Sequence, residues 1–229
     1  MQIQRCFLLS YFKYGDNDAV LHCFSIENGF QSFFAKGIYA PRNKMKPYLF
    51  PLNLLNITVS KVVAENKISR ISKIEIASDH YDFNEVAMNS MLFFTADFLH
   101  QVLREEVKNL LIFKEIENVR KEISNQNYDA YLVFIFKFLS ISGVAPLYGE
   151  SMFLNPESGL FEDAISHPFF DESISALWKL FSRIPNDYDI ALKRSERSVF
   201  LDSLMIYCQI HITGFYTPNS LVVVRQIFE

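Results

Sequence analysis

The feature that most constrains this chain is a change of hydrophobic period near residue 80. Up to Ala77 the apolar residues fall in short runs: Ile3–Tyr14, Ala19–Ile26, Phe30–Lys36, Leu52–Ala64 and Ile68–Ile76. Gly15-Asp16-Asn17-Asp18 closes the first run. Glu27-Asn28-Gly29 separates the second from the third, and its Asn-Gly pair favours positive φ and a tight hairpin. Glu65-Asn66-Lys67 supplies the last turn. The third run alternates, with Phe30, Phe34 and Lys36 on one side and Phe33 and Ala35 on the other. Five short strands, with one long connection before the fourth, predict a small five-stranded barrel.

From Asn84 the spacing becomes three and four. Asn84–Val107 carries Met88, Met91, Leu92, Thr95, Leu99 and Val102 at helical intervals, with Phe93, Phe94 and Phe98 on neighbouring faces. A helix so apolar all round belongs at the centre of a bundle. Further helices are predicted over Leu110–Ser124, Tyr128–Ile141, Glu172–Ser182, Ser195–Thr213 and Asn219–Phe228, the last with Asn219 as N-cap after Pro218. Residues 147–168 hold Gly149, Pro156, Gly159 and Pro168, and read as a loop or short hairpin with Phe153 and Phe161 inward. Strands followed by helices indicate an α+β chain. The expected division is a barrel over residues 1–78 and a helical domain over 79–229.

Charge is divided along the same line. Residues 1–75 hold ten lysines and arginines against five acidic residues, whereas the whole chain carries −4, so the remainder carries −9. The densest positive charge lies in Phe34–Pro51, where Lys36, Arg42, Lys44 and Lys46 are interleaved with Tyr39, Tyr48 and Phe50. Cations beside aromatic rings suit a polyanion that also offers flat bases. An ordinary solvated loop has the same composition. Lys13 and Lys61, on adjoining strands, join the four as further candidates for contact with such a polyanion.

Other chemistry finds little support. The five histidines form no HxxxH or HExxH pair, and no GxSxG or GxxxxGK[ST] is present. Asp79-His80-Tyr81-Asp82 offers metal-ligand types but reads as a solvated hinge, and Tyr207 with His211 one helical turn on reads as packing. No catalytic residue, metal, cofactor or small-molecule substrate is expected. No secretory pattern opens the chain, and the longest apolar run, Tyr131–Ile141, is too short to span a membrane. Cys6, Cys23 and Cys208, widely spaced, predict reduced, buried thiols and a cytoplasmic protein.

Several stretches together resemble the RecO family of bacterial recombination mediators, in the zinc-free form of Bacteroidetes-type bacteria. They are Tyr14-Gly15-Asp16, Gly29-Phe30-Gln31-Ser32-Phe33 with Lys36-Gly37, Lys44-Met45-Lys46, Leu49-Phe50-Pro51-Leu52, Leu103-Arg104-Glu105-Glu106, Arg194-Ser195-Glu196-Arg197, Tyr207 with His211, and Ser220-Leu221 leading to Phe228. The resemblance implies an oligonucleotide-binding (OB) barrel, binding of single- and double-stranded DNA, and annealing of complementary strands. It also implies loading of the recombinase on DNA coated by single-strand-binding protein, with RecR as partner, in the nucleoid-containing cytoplasm. Some members carry a four-cysteine zinc module where Tyr148–Glu162 here has no cysteine. Apolar packing of Phe153, Leu154, Leu160 and Phe161 is expected in its place. The resemblance further implies a groove for the acidic, aromatic-ended tail of single-strand-binding protein. Lys193, Arg194 and Arg197 are its local cations, with Arg104 and Lys137 in addition, unless Arg194 and Arg197 merely pair with Asp187, Asp189 or Glu196. An RNA-binding OB protein and a scaffold that binds no polynucleotide are the competing readings.

Overall fold

The computed structural model describes residues 2–60, 68–77, 83–183 and 188–228. Five strands, β1 (Gln2–Tyr14), β2 (Asp18–Ser25), β3 (Gly29–Ala35), β4 (Leu54–Val59) and β5 (Ser69–Ile76), close in the order β1-β2-β3-β5-β4. Neighbours are antiparallel except β3 and β5, which run parallel with Phe33 and Phe34 opposite Ser69 and Arg70. The result is the expected OB-like barrel, of mixed type. Strand β1 serves two partners because its register shifts between Leu8 and Ser10: Gln2–Phe7 pair with β4 and Cys6–Tyr14 with β2. A bulge of this kind bends and twists a strand, which closure requires. Alternate residues fill the interior, among them Cys6, Leu8, Leu21, Cys23, Phe33 and Ile57. Phe33 and Ala35 face inward as their alternation predicts.

The fourth strand is shorter than its apolar run. Leu52, at φ 59°, belongs to the preceding loop, where its N–H donates to the Leu8 carbonyl. Residues 61–67 lie outside the described segments, as does the expected boundary at 78/79. The chain forms two compact units. One takes residues 1–84 and 92–114, the other residues 85–91 and 115–229. Much of the first predicted helix therefore belongs with the barrel. That helix, α1 (Val86–Val102), ends before Val107. The Glu106 carbonyl accepts the Phe30 N–H instead, and the Phe113 ring, near the start of α2 (Leu110–Ser124), packs at a tilt on Phe7 with centroids 4.7 Å apart.

The second unit contains α3 (Ala130–Ile141), a two-stranded hairpin of β6 (Phe153–Asn155) and β7 (Leu160–Glu162), α4 (Glu172–Arg183), α5 (Arg194–His211) and α6 (Leu221–Phe228). Helix α6 starts at Leu221, so the cap position falls on Ser220 rather than Asn219. Trp178 is the hub: fully buried, it donates from Nε1 to Ser203 Oγ at 3.0 Å and packs on Tyr207 with centroids 4.7 Å apart. The hairpin is held differently from the expected apolar quartet. Leu154 is fully buried, and its N–H donates to Ser175 Oγ. Phe153 and Phe161 are half-buried and Leu160 points outward. A three-residue strand has only one central inward position, and Leu154 occupies it. Tyr207 Oη donates to the Val144 carbonyl, and His211 Nε2 to the Pro156 carbonyl at 2.7 Å, so this pair does pack and hydrogen-bond.

Two glycines separate backbone strain from steric exclusion. Gly15 and Gly29 both have positive φ, but a Cβ at Gly15 meets nothing whereas one at Gly29 would lie 2.4 Å from the Glu106 carbonyl oxygen. Gly15→Ala should cost about 1 kcal/mol, and Gly29→Ala more than about 2 kcal/mol. Equal midpoints for the two variants in urea titrations would refute the Glu106 contact.

Candidate nucleic-acid interface

The loop between β3 and β4 is built outward from the barrel core. Ile38 is fully buried and Leu49 nearly so, both among the interior residues, and Tyr39, Met45 and Tyr48 pack partly against the same core. Asn43 ties the turn together: its Nδ2 donates to the Gly37 carbonyl at 2.8 Å, and its Oδ1 accepts the Met45 N–H at 2.7 Å. The Gly37 N–H, in turn, donates to Asp18 Oδ1 at 2.6 Å, pinning the loop to the start of β2. A short 3₁₀ turn over Lys46–Tyr48 follows.

With apolar residues turned in, the cations are turned out. Lys36, Arg42, Lys44 and Lys46 are all exposed, and none pairs with a carboxylate among the described residues. No Asp or Glu occurs between Glu27 and Glu65. Lys46 Nζ sits 5.7 Å above the Tyr39 ring. The Tyr39 phenol is pushed above its ordinary pKa, mainly by desolvation and secondarily by Tyr11. That proximity brings β1 to the loop, because Lys13 follows Tyr11 on the same face of the strand and is exposed. Five of the six DNA candidates are thus exposed on the loop or the strand beside it. Lys61 lies outside the described residues.

The loop's rings do not stand out as stacking platforms. Tyr39 and Tyr48 lean on the core, and Phe50 meets Phe93 edge-on at 5.5 Å. They hold the loop down, because burying ring area against the barrel is worth more than leaving it in water. Sequence reasoning read these aromatics by proximity to charge and missed the direction each would face.

The cations assigned to a tail groove are scattered. Arg104 is exposed in the barrel unit, where its charge helps lower the pKa values of His22 and His100. In the helical unit Lys137 is largely enclosed, pairing with Glu115 at 3.0 Å and lying 4.3 Å above the Tyr188 ring. It is bound into the interior rather than offered at a rim. Arg197 Nε pairs with Asp129 Oδ1 at 2.7 Å, and its guanidinium lies 5.4 Å from the Phe228 ring. Arg194 Nε donates to the Phe228 carbonyl at 2.7 Å. The partners expected for these arginines (Asp187, Asp189 and Glu196) are not those found, and Asp187 lies outside the described residues. Lys193 is exposed ahead of α5, where its N–H bonds Glu196 Oε2. Arg197 lines a shallow cleft with Tyr131, Leu201, Val224, Arg225 and Phe228.

A family model for the N-terminal part of recombination protein O matches residues 1–79. DNA repair protein RecO of Flavobacterium psychrophilum is 27% identical, with 100% of each chain covered. Along its whole length the chain is similar to RecO proteins. RecO proteins of Christiangramia forsetii, at 25% identity with 98% of each chain covered, and of Phocaeicola vulgatus, at 23% with 97% covered, match equally along their length. These relatives are named as DNA repair proteins, and the basic loop of this chain lies within the matched N-terminal segment. Among the described residues no group of three or more His, Cys, Asp or Glu side chains is placed to hold a metal, and no helix is long and apolar enough to cross a membrane. Asp79-His80-Tyr81-Asp82 lies outside those residues. Cys6, Cys23 and Cys208 are buried free thiols, as anticipated.

The histidine pair carries a pH signature. His22 and His100 pack with tilted rings, centroids 5.0 Å apart. His100 is lowered to about 4, by desolvation first and then by His22 and Arg104, against a weaker opposing pull from Asp97. Because its folded pKa lies below the unfolded one, the folded barrel unit resists a proton that the unfolded chain accepts. Stability should therefore be full above about pH 6.5 and fall as pH drops from there towards 4. His100→Gln should flatten that decline in urea titrations between pH 4 and 7; an unchanged pH profile would refute the assignment.

Proposed function

We propose that this chain is a non-catalytic recombination mediator of the RecO family whose barrel loop grips the phosphates of single- and double-stranded DNA. On this reading it anneals strands and, with RecR, helps load the recombinase on DNA coated by single-strand-binding protein. The observation that carries the proposal is the inside-out loop: Ile38 and Leu49 anchored in the barrel core, with Lys36, Arg42, Lys44 and Lys46 facing water and no carboxylate neutralising them among the described residues. A pre-ordered cationic loop gives a grip that is sensitive to salt and indifferent to sequence, which suits action at any gap. Lys13, beside the loop, extends the same footprint.

The acidic, aromatic-ended tail of single-strand-binding protein would sit on the helical unit, in the cleft beside Arg194 and Arg197. Arg225, whose guanidinium bonds Asp202, lines the same cleft. Support for this part is the combination of apolar walls and arginines in an otherwise acidic region. Lys137 is enclosed with Glu115 and lies apart from this cleft's lining, and Arg104 belongs to the barrel unit.

Changing Arg42, Lys44 and Lys46 together to Ala should weaken binding of both DNA forms and reduce the slope of log affinity against log salt by about two to three. A slope equal to that of the unaltered protein would remove the loop from the site. In the same titration, RNA outcompeting DNA of equal length would favour the RNA reading, and no binding at low salt would favour the scaffold. For the tail, Arg194→Ala should lower the affinity of a labelled tail peptide in fluorescence anisotropy without disturbing the Arg197–Asp129 pair. Equal affinity would exclude Arg194.

A further inference from the structure

Resting on the DNA-binding reading, we infer that a second surface of the barrel, the outer face of β1–β3 around Phe12, Tyr14 and Phe34, stacks the unpaired bases of single-stranded nucleic acid. The register defines that face. Ala19, Leu21, Phe33 and Ala35 point into the core, so Val20, His22, Ser32 and Phe34 point out. Opposite them on β1 stand Ser10 across from His22, Phe12 across from Val20 and Tyr14 across from Asp18. Phe34 has Arg70 of β5 as its other neighbour.

The rings fall into two neighbouring groups on this face. Tyr14 meets Phe34 edge-on at 5.9 Å, Phe12 lies 5.7 Å from His22, and His22 stacks on Phe30 at 5.6 Å and 19°. At the lower end His100 closes over His22 and Phe30. The upper end is open, with Tyr14 59% and Phe12 49% exposed. Two large rings left half in water side by side mark a contact surface.

Charge selects the occupant. Arg70 beside Phe34, and Lys36 just beyond Ala35, are both exposed at the edges of the face. Asp18, the carboxylate on the face, is already taken by the Gly37 N–H. Rings bordered by cations suit a strand whose bases are splayed onto the rings while its phosphates run along the edge. A duplex has its bases stacked on one another and cannot reach these rings. The two surfaces therefore divide the work: the loop meets phosphates of either form, and the ring face discriminates in favour of the single strand.

The test is a Phe12→Ala/Tyr14→Ala variant of the full chain, titrated with oligothymidine of about 20 nucleotides, longer than one OB site, and with a duplex of equal length. Single-strand affinity should fall at least about tenfold, as the loss of stacking on two rings implies. Duplex affinity should stay within about twofold, and the salt slope should not change, since no phosphate contact is lost. The conservative Phe12→Tyr/Tyr14→Phe variant should retain single-strand binding. Phe12→Trp should report the contact directly, its fluorescence quenched by oligothymidine and not by duplex. Undiminished single-strand binding by the alanine variant would overturn the inference, even where the loop variant still weakens both forms and the DNA-binding reading stands. Equal losses on both forms would overturn it too, by giving the rings a structural role. No binding of either form by the unaltered chain would instead defeat the reading on which it rests.

Discussion

The burial of Ile38 and Leu49 in the barrel core is the interaction on which the cationic surface depends. A long connection rich in lysine and arginine would ordinarily sample many conformations, and its charges would repel one another. Two aliphatic side chains in the interior, each contributing on the order of 1.5–3 kcal/mol, turn that connection into a fixed cap. Asn43 then supplies the local hydrogen bonds that a loop without regular structure lacks. The cations face outward because the positions between them face inward. Ordering entropy is thereby lost during folding instead of during ligand binding, which favours affinity.

The barrel's geometry presents two kinds of chemistry on its surface. The loop presents charge with its aromatics withdrawn, whereas the outer sheet face presents rings with charge only at the margin. Closure of the barrel makes the separation possible: successive residues of a strand point to opposite sides, so Phe33 builds the core while Phe34 builds the surface. The helical unit works on another principle. Its charged groups are largely turned to structural use, with Asp129 accepting from both the Leu192 N–H and Arg197, and Glu115 accepting from Lys137 and Tyr188. Desolvation and the Glu115 carboxylate push the Tyr188 phenol far above its ordinary range, so it stays protonated as a donor. Breaking such an enclosed pair from one side is strongly destabilising, because the remaining charge is left uncompensated.

Much of this architecture was legible in the chain. Period and turn residues placed all five barrel strands and the principal helices, because alternation and three-four spacing are direct images of which side of an element is dry. Ends were less legible where a tertiary contact fixed them: α1 stops at Val102 because the Glu106 carbonyl bonds Phe30, a partner some 76 residues earlier that no local signal announces. The cationic loop was legible as charge, but the inward turn of Tyr39, Tyr48 and Phe50 was not, since composition carries no direction. Lys137 and Arg197 illustrate the same limit. An isolated cation in an acidic segment looks like a ligand contact until the carboxylate that faces it, Glu115 or Asp129, is brought near by packing. Phe12 and Tyr14 were overlooked because Phe34 and Arg70, far from them in sequence, join the same face only through strand pairing.

The placement of the three thiols has a practical corollary. Cys6 and Cys23 are sealed within the barrel and Cys208 within the helical unit, all buried. Burial drives the Cys6 and Cys208 thiols well above their ordinary pKa, which suppresses the reactive thiolate as well as access to it. Alkylation can then proceed only as fast as the surrounding structure opens. The chain thus carries native kinetic probes in each of its halves, and the order in which they are consumed would tell which half breathes first.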